Sequence, residues 1–160
     1  MISIIVAMSN NNFIGKNNKL LWKLPDDLRR FKELTTNNVV VMGKNTYYSL
    51  PSSKALKNRI NIVFSKTEQI KDVETVSSMD DAFSLFKKYD NKEIFIIGGE
   101  TIYKQFIDIA DKIYLTIVDA DLDGDTYFPK INYSEWDIDL ESVNDNNEYV
   151  FQNLILTKKV

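Results

Sequence analysis

The sequence predicts an α/β fold: a central mixed, mostly parallel sheet with flanking helices and a C-terminal antiparallel hairpin. Three observations point there. Apolar runs with little alternation, the mark of strands covered on both faces, recur along the first two thirds of the chain. Helical patterns lie between them, which implies crossover connections and parallel neighbours. The last third carries two strand-like runs, 136–143 and 149–158, joined by the polar turn 144–148 with Asp-Asn-Asn-Glu at its centre. Such a pair is a hairpin, and it makes the sheet mixed.

At 160 residues the chain has room for one domain, 1–160, burying roughly 70% of its unfolded surface. An apolar share of 44%, with 5 Gly and 3 Pro, is ordinary for a globular protein. The formal net charge of −3, without a basic run, argues against nucleic acid as the main partner. There is no Cys and no His. Disulfides, thiolate chemistry, Ser-His-Asp catalysis and the common zinc sites are thereby excluded, and no metal centre is expected. Proton chemistry falls to Asp, Glu, Lys and Tyr. The start, MISIIVAMSN, has no basic leader segment and too short an apolar run to span a bilayer, so a cytoplasmic protein with no membrane partner is expected.

Residues 2–8 form the first strand. Residues 9–23 follow as an Asn-rich polar loop broken by Phe13 and Ile14; loops of this length in compact domains are functional or disordered, and we read this one as a lid. A helix starts at Pro25, whose fixed φ is already helical and whose missing N–H would be unpaired at a first position, and runs to about Thr35. At about 100° per residue, Asp27 falls about 40° from Phe31 and about 20° from Leu34, while Asp26 points roughly 140° from Phe31. Asp27 therefore shares the apolar face and Asp26 does not. Two readings of Asp27 stay open. It is a first-turn acid stabilised by the helix dipole, or it is a functional carboxylate whose pKa rises on burial beside Trp22 unless a partner, such as a ligand, compensates.

Residues 38–42, NVVVM, are the second strand, stopped by Gly43 and followed by Lys44, Asn45 and Thr46 at a helix N-terminus. Residues 59–64, RINIVF, are the third, ended by Ser65, Lys66 and Thr67, with a short fourth at 73–76. A helix over 79–88 presents Ala82, Phe83, Leu85 and Phe86 on its apolar face. Then come 93–97, EIFII, the pair Gly98 and Gly99, a helix through Ile102, Tyr103 and Phe106, and a strand over 112–118.

Three of these strand ends could hold a nucleotide, since ligands on such sheets bind beyond the carboxyl ends of the strands. Gly98 and Gly99 let backbone amides approach a phosphate at a helix N-terminus. A doubled glycine also serves as a plain strand-to-helix turn, and the third glycine of G-x-G-x-x-G is missing. Lys44 and Lys66, taken singly, fit solvated surface residues. Together with the neighbouring hydroxyls they offer donors to a doubly charged phosphate, and no acidic ribose-binding residue stands where a cofactor lacking that phosphate wants one. The pattern favours NADPH over NADH.

In order and spacing, these pieces resemble the dihydrofolate reductase family from Met1 to the final hairpin. The resemblance rests on Ala7, Ile14-Gly15, the run Leu20-Leu21-Trp22, Leu24-Pro25 with Asp27-Leu28 and Phe31, Met42-Gly43, Thr46, Ile97-Gly98-Gly99, Tyr103, and Gly124-Asp125-Thr126 before Phe128-Pro129. It implies a single-domain reductase of the bacterial or phage type that moves hydride from NADPH to 7,8-dihydrofolate, giving 5,6,7,8-tetrahydrofolate. Asp27 would accept hydrogen bonds from the pterin's amidine edge, Trp22 would help fix an ordered water, and the proton would come from water admitted beside Asp27. Ile5, Ala7, Leu20, Leu28, Phe31, Leu50 and Ile97 would form the apolar pocket, with Thr116 also among the substrate contacts. Arg59 would hold the glutamate tail's carboxylate.

By the same resemblance, the cofactor would lie along Gly43, Lys44, Asn45, Thr46, Phe64, Ser65 and Lys66 on one side. On the other it would meet Ile97, Gly98, Gly99, Glu100, Thr101, Ile102 and Tyr103, with Ala7, Ile14, Gly15, Leu20 and Thr126 also in contact. The Gly98-Gly99 peptide would be cis, and the 9–23 loop would close over the nicotinamide. A monomer is expected. Three departures stand out. Leu21 replaces the usual proline, leaving the lid backbone less restrained. Lys44 stands for the usual arginine and Thr101 for a frequent cation, so the phosphate grip is expected to be weaker or differently arranged. Residues 51–58, PSSKALKN, lack the family's glycine and proline pattern, which bears on the tail contacts. Two rivals share the fold: a related reductase of riboflavin synthesis acting on a ribosylated pyrimidine, and a nucleotide-binding protein that has lost catalysis.

Overall fold

Val39, Val40, Val41 and Met42 are each 0% exposed, so the run reads as a strand because helices and loops cover both of its faces. A computed structural model describes residues 1–16, 19–20 and 24–160. In chain order its elements are β1 (Ile2–Ser9), β2 (Phe13–Lys16), β3 (Lys19–Leu20), α1 (Pro25–Thr35), β4 (Val39–Gly43), α2 (Lys44–Ser49), β5 (Ile60–Phe64), β6 (Glu74–Val76), α3 (Met79–Phe86), β7 (Ile94–Gly98), α4 (Glu100–Phe106), β8 (Lys112–Val118), β9 (Thr126–Tyr127), β10 (Trp136–Asp145) and β11 (Val150–Lys158). Among the described residues the main sheet has 8 strands in the order β10-β11-β8-β1-β7-β4-β5-β6. Its interior pairings from β8 to β6 are parallel, and β11 runs antiparallel to both β8 and β10. The expected mixed sheet is present.

The chain leaves β1 for one side of the sheet and returns to its other side with β8, so β1 and β7 flank the point where the winding reverses. Crevices open beyond the carboxyl ends of strands at such points. Tyr103 fills the splay there: its hydroxyl lies 2.9 Å from the Ile5 carbonyl and 2.8 Å from that of Ile97. Burial pushes its phenol pKa well up, so it stays neutral. Under α4, Phe106 packs with Phe64, Phe83 and Phe86 to tie α3 and α4 to β5.

Three expectations need correction. Residues 9–23 are not a plain loop: β2 and β3 pair as a hairpin, and β2 also pairs with β9. The sequence hides this because β3 and β9 are only 2 residues each and carry no period of their own. The helix expected over 79–88 ends at Phe86 and tightens into a 3-10 turn, Lys87–Tyr89. The hairpin turn is shorter than 144–148, because Asn146 Oδ1 accepts from the amides of Glu148 and Tyr149 at 3.0 and 2.6 Å and lets the ladder run up to it. Among the described residues no helix is long and apolar enough to cross a membrane, and no cluster of acids could hold a metal ion.

Candidate active site

α1 spans Pro25–Thr35 as its proline and spacing required, and its seating decides which acid matters. Leu24, 3% exposed, packs with Val118 and Phe151 against Ala7, which pins the helix start over β8 and β1. That anchor brings Asp27 Oδ1 to 2.7 Å from the Thr116 hydroxyl, which donates to it. Thr116 lies beside Ala7 in the β1–β8 register. Asp26 points outward and pairs with Arg29 at 3.3 Å, both exposed. Helical phase therefore separated the two acids correctly.

Burial holds the Asp27 carboxyl above the usual carboxylate range, against the lowering influence of the Thr116 hydroxyl and the Arg30 charge. Arg30 itself pairs with Glu141 of β10 and lies 5.8 Å from the Tyr114 ring centre. Beside this half-buried acid the helix exposes apolar surface: Leu28 is 55% exposed and Phe31 half-exposed. Ile5, Leu34, Leu50 and Ile97 are half-buried in one cluster. Open apolar side chains next to a buried carboxylate make a wall for a flat polar ligand.

Arg59 closes the far end. Its guanidinium donates from Nη1 to Thr35 Oγ1 at 3.1 Å and from Nε to the Lys57 carbonyl at 2.9 Å, and sits 6.0 Å from the Phe31 ring centre. From Asp27 to Thr35 the helix rises about 12 Å. A ligand lying along α1 could thus meet an acid at one end and a planar cation at the other. In 51–58, Ser52 and Ser53 adopt φ of 58° and 49°, left-handed conformations that a glycine would accept without cost. A groove of about 580 Å³ lined by Ala55, Leu56, Lys57, Asp72, Glu74 and Tyr89 shares Arg59 with this site but includes neither Asp27 nor Phe31.

The second half of the site sits on neighbouring strand ends. Gly43 pairs with Phe64, and Met42 with Gly98, so the three ends expected to face a nucleotide are adjacent. Little room is left there for side chains: a Cβ on Gly43 would come within 3.2 Å of Ile102, and one on Gly99 within 3.3 Å of Thr46 Oγ1. Gly98 has φ +130°, and its peptide to Gly99 is cis, the expected geometry. The amides that open α2 and α4 receive no side-chain cap. A bare backbone cradle with close helix–strand packing fits a dinucleotide's phosphates.

The hydroxyl and ammonium donors are less uniform. Lys44 Nζ reaches Thr67 Oγ1 at 3.2 Å and Glu68 Oε1 at 3.8 Å, and Lys66 is exposed. Ser65 is buried, and its hydroxyl accepts from the Glu68 amide at 3.2 Å. Asn45 is exposed and Thr46 half-buried at the start of α2. Glu68 escaped the sequence reading, since nothing in a loop acid signals that it folds back on a lysine. Across the cleft, Glu100 Oε1 accepts from the Tyr127 amide at 3.0 Å, joining α4 to β9. Thr101 is exposed, and Ile102 and Tyr103 are buried. The β2 strand carries buried Ile14 and Gly15, and Gly15 pairs with Thr126. Leu21, Trp22 and the side chain of Leu20 lie outside the described residues.

Comparison with known proteins meets this geometry from outside. The family model described as dihydrofolate reductase matches residues 1–158. A dihydrofolate reductase of Haemophilus influenzae is 40% identical over 163 residues, covering 98% of both chains. One of Bacillus subtilis is 34% identical and covers 99% of this chain and 95% of its own. Among solved structures, a dihydrofolate reductase from Enterococcus faecalis complexed with NADP(H) and RAB-propyl superposes with a TM-score of 0.88 at 30% identity, over 100% of this chain and 97% of that one. Matched over its length in sequence and in backbone, the chain belongs to the dihydrofolate reductase family.

Proposed function

We propose that this chain reduces 7,8-dihydrofolate to 5,6,7,8-tetrahydrofolate with NADPH, as a single-domain, monomeric, cytoplasmic enzyme. The observation that carries the reading is the half-buried Asp27 carboxylate, held by Thr116 beside an open apolar wall, with Arg59 at the other end of the same helix. Gly43 at the end of β4, Ser65 just after β5 and the Gly98-Gly99 pair at the end of β7 would hold NADPH, which would supply the hydride. Asp27 accepts hydrogen bonds from the amidine edge of the pterin and so fixes which ring face meets the cofactor side. Burial raises the pKa of its carboxyl, and from that position it polarises the ring while water delivers the proton. Ile5, Ala7, Leu28, Phe31, Leu50 and Ile97 exclude solvent around the ring, and Arg59 pairs with the tail carboxylate.

Loss of NADPH absorbance on addition of dihydrofolate tests the reading. The absence of turnover with dihydrofolate, or turnover with a ribosylated pyrimidine instead, overturns it. For the cofactor, Lys44→Ala and Lys66→Ala are expected to shrink the preference for NADPH over NADH several-fold each, as loss of a charge-assisted contact does. Unchanged ratios in steady-state kinetics with both cofactors would remove these lysines from the phosphate site. The Glu68 carboxylate competes for Lys44, so Glu68→Gln is expected to strengthen the preference.

A further inference from the structure

Behind Asp27 and Thr116, a file of polar side chains continues through Asn153 and Ser142, neither of which the proposed reaction uses. The Thr116 hydroxyl lies 2.7 Å from Asp27 Oδ1 and 2.9 Å from Asn153 Oδ1, and it has one proton for two oxygens. Asn153 Nδ2 lies 3.0 Å from Ser142 Oγ, which also accepts from Asn144 Nδ2 at 3.1 Å. Register builds the file. Thr116 opposes Asn153 across β8 and β11, and Asn153 opposes Ser142 across β11 and β10. The second pairing exists because of an irregularity between Leu140 and Ser142, where Glu141 is the extra residue. Without it, the one-residue slip would turn the serine to the other face of the sheet. Thr116 is 2% and Asn153 7% exposed, so bulk water does not take up an unmade bond.

The two protonation states of Asp27 ask for opposite arrangements. With Asp27 ionised, Thr116 donates to the carboxylate. Asn153 is then satisfied only with its amide turned over, Nδ2 donating to Thr116 and Oδ1 accepting from Ser142. With Asp27 neutral, the carboxyl donates to Thr116, Thr116 donates to Asn153 Oδ1, and Nδ2 donates to Ser142. The two ends of an amide occupy nearly the same space, so both arrangements use the same positions. An apolar residue at 153 would serve only one of the states.

We propose that Asn153 is a positioning residue for Asp27, its amide turning over to keep Thr116 paired in both protonation states and so setting the pH at which Asp27 changes state. The inference rests on Asp27 being the acid that faces the substrate. Among the described residues, the charge that reaches Asp27 is that of Arg30 on its own helix, paired with Glu141 next to Ser142. The groups that β8 and β11 place along the file, Thr116 and Asn153, do not titrate.

Two measurements on the full chain test it. In isotope-labelled, ligand-free protein, the Asn153 side-chain amide resonances are expected to shift across the same pH midpoint as the Asp27 carboxyl, and to stay constant in Asp27→Asn. Asn153→Leu removes the acceptor that only the neutral state requires, so the midpoint, in the carboxyl resonance and in kcat/KM with dihydrofolate, is expected to fall by about 0.5–1 pH unit. Ser142→Ala takes one partner from each state and is expected to leave the midpoint close to parental. An Asn153 amide that ignores pH while Asp27 titrates overturns the proposal, as does a folded Asn153→Leu with an unmoved midpoint. Paired titration in a protein that does not turn over dihydrofolate would support the file and sink the proposed substrate instead.

Discussion

Asp27→Asn is expected to lower dihydrofolate turnover by roughly 10²–10⁴, the range of acid–base assistance, whereas Asp26→Asn leaves it near parental. The two acids are adjacent in sequence and differ only in what the fold does with them: Asp27 meets Thr116 at 2.7 Å, and Asp26 meets exposed Arg29. Steady-state rates at saturating NADPH decide it; equal losses in both variants, or none in either, would remove Asp27 from the reaction. The same substitution is expected to stabilise the free protein at neutral pH. Burial raises the folded-state pKa of Asp27, so its favourable contribution is present below the unfolded carboxylate pKa of about 3.9 and is lost as pH rises through the folded value. Above that range the cost of burying the ionised group opposes folding, and Asn removes that opposition. Thermal melts should show Asp27→Asn above the parent at pH 7, with the gap closing towards acid pH; a lower Tm at every pH would contradict the burial argument.

Phe106→Ala is expected to cost about 3–5 kcal/mol, the usual loss for a fully buried aromatic ring, out of a total stability of about 5–15 kcal/mol. The ring is 0% exposed, with the Phe64, Phe83 and Phe86 centroids 6.1, 6.4 and 6.2 Å away, so the cavity would open among groups that cannot all collapse into it. Phe64 ends β5 and Phe106 ends α4, the two elements that carry opposite sides of the expected cofactor cleft. The same variant should therefore lose affinity for NADPH as well as stability. Urea denaturation with and without cofactor measures both; a loss below about 1 kcal/mol would mean that the site repacks.

Legibility in the sequence tracked the length of each local signal. Pro25 and the phase of Phe31 and Leu34 set the helix and singled out Asp27 before any fold was known. Near-continuous apolar runs located the central strands, and the doubled glycine marked a strand-to-helix turn. Elements of 2 residues leave no such trace, so neither the β2–β3 pairing within 9–23 nor its partner β9, more than 100 residues on, is legible as the β3-β2-β9 sheet. Glu68 was missed because its partner, Lys44, is 24 positions away in a different element.

Asn153 and Ser142 show the boundary most clearly. In sequence they are polar residues in a strand, indistinguishable from solvent-facing ones. Tertiary structure alone decides otherwise, through the register of three strands and one extra residue at Glu141, which together place them in line behind Thr116. The sequence by itself determined the α/β class, the strands of the main sheet and the acid to watch, because periodicity, proline and glycine act within a few residues. Which groups hold that acid depended on pairings 89 and 37 residues apart, and no local preference encodes those.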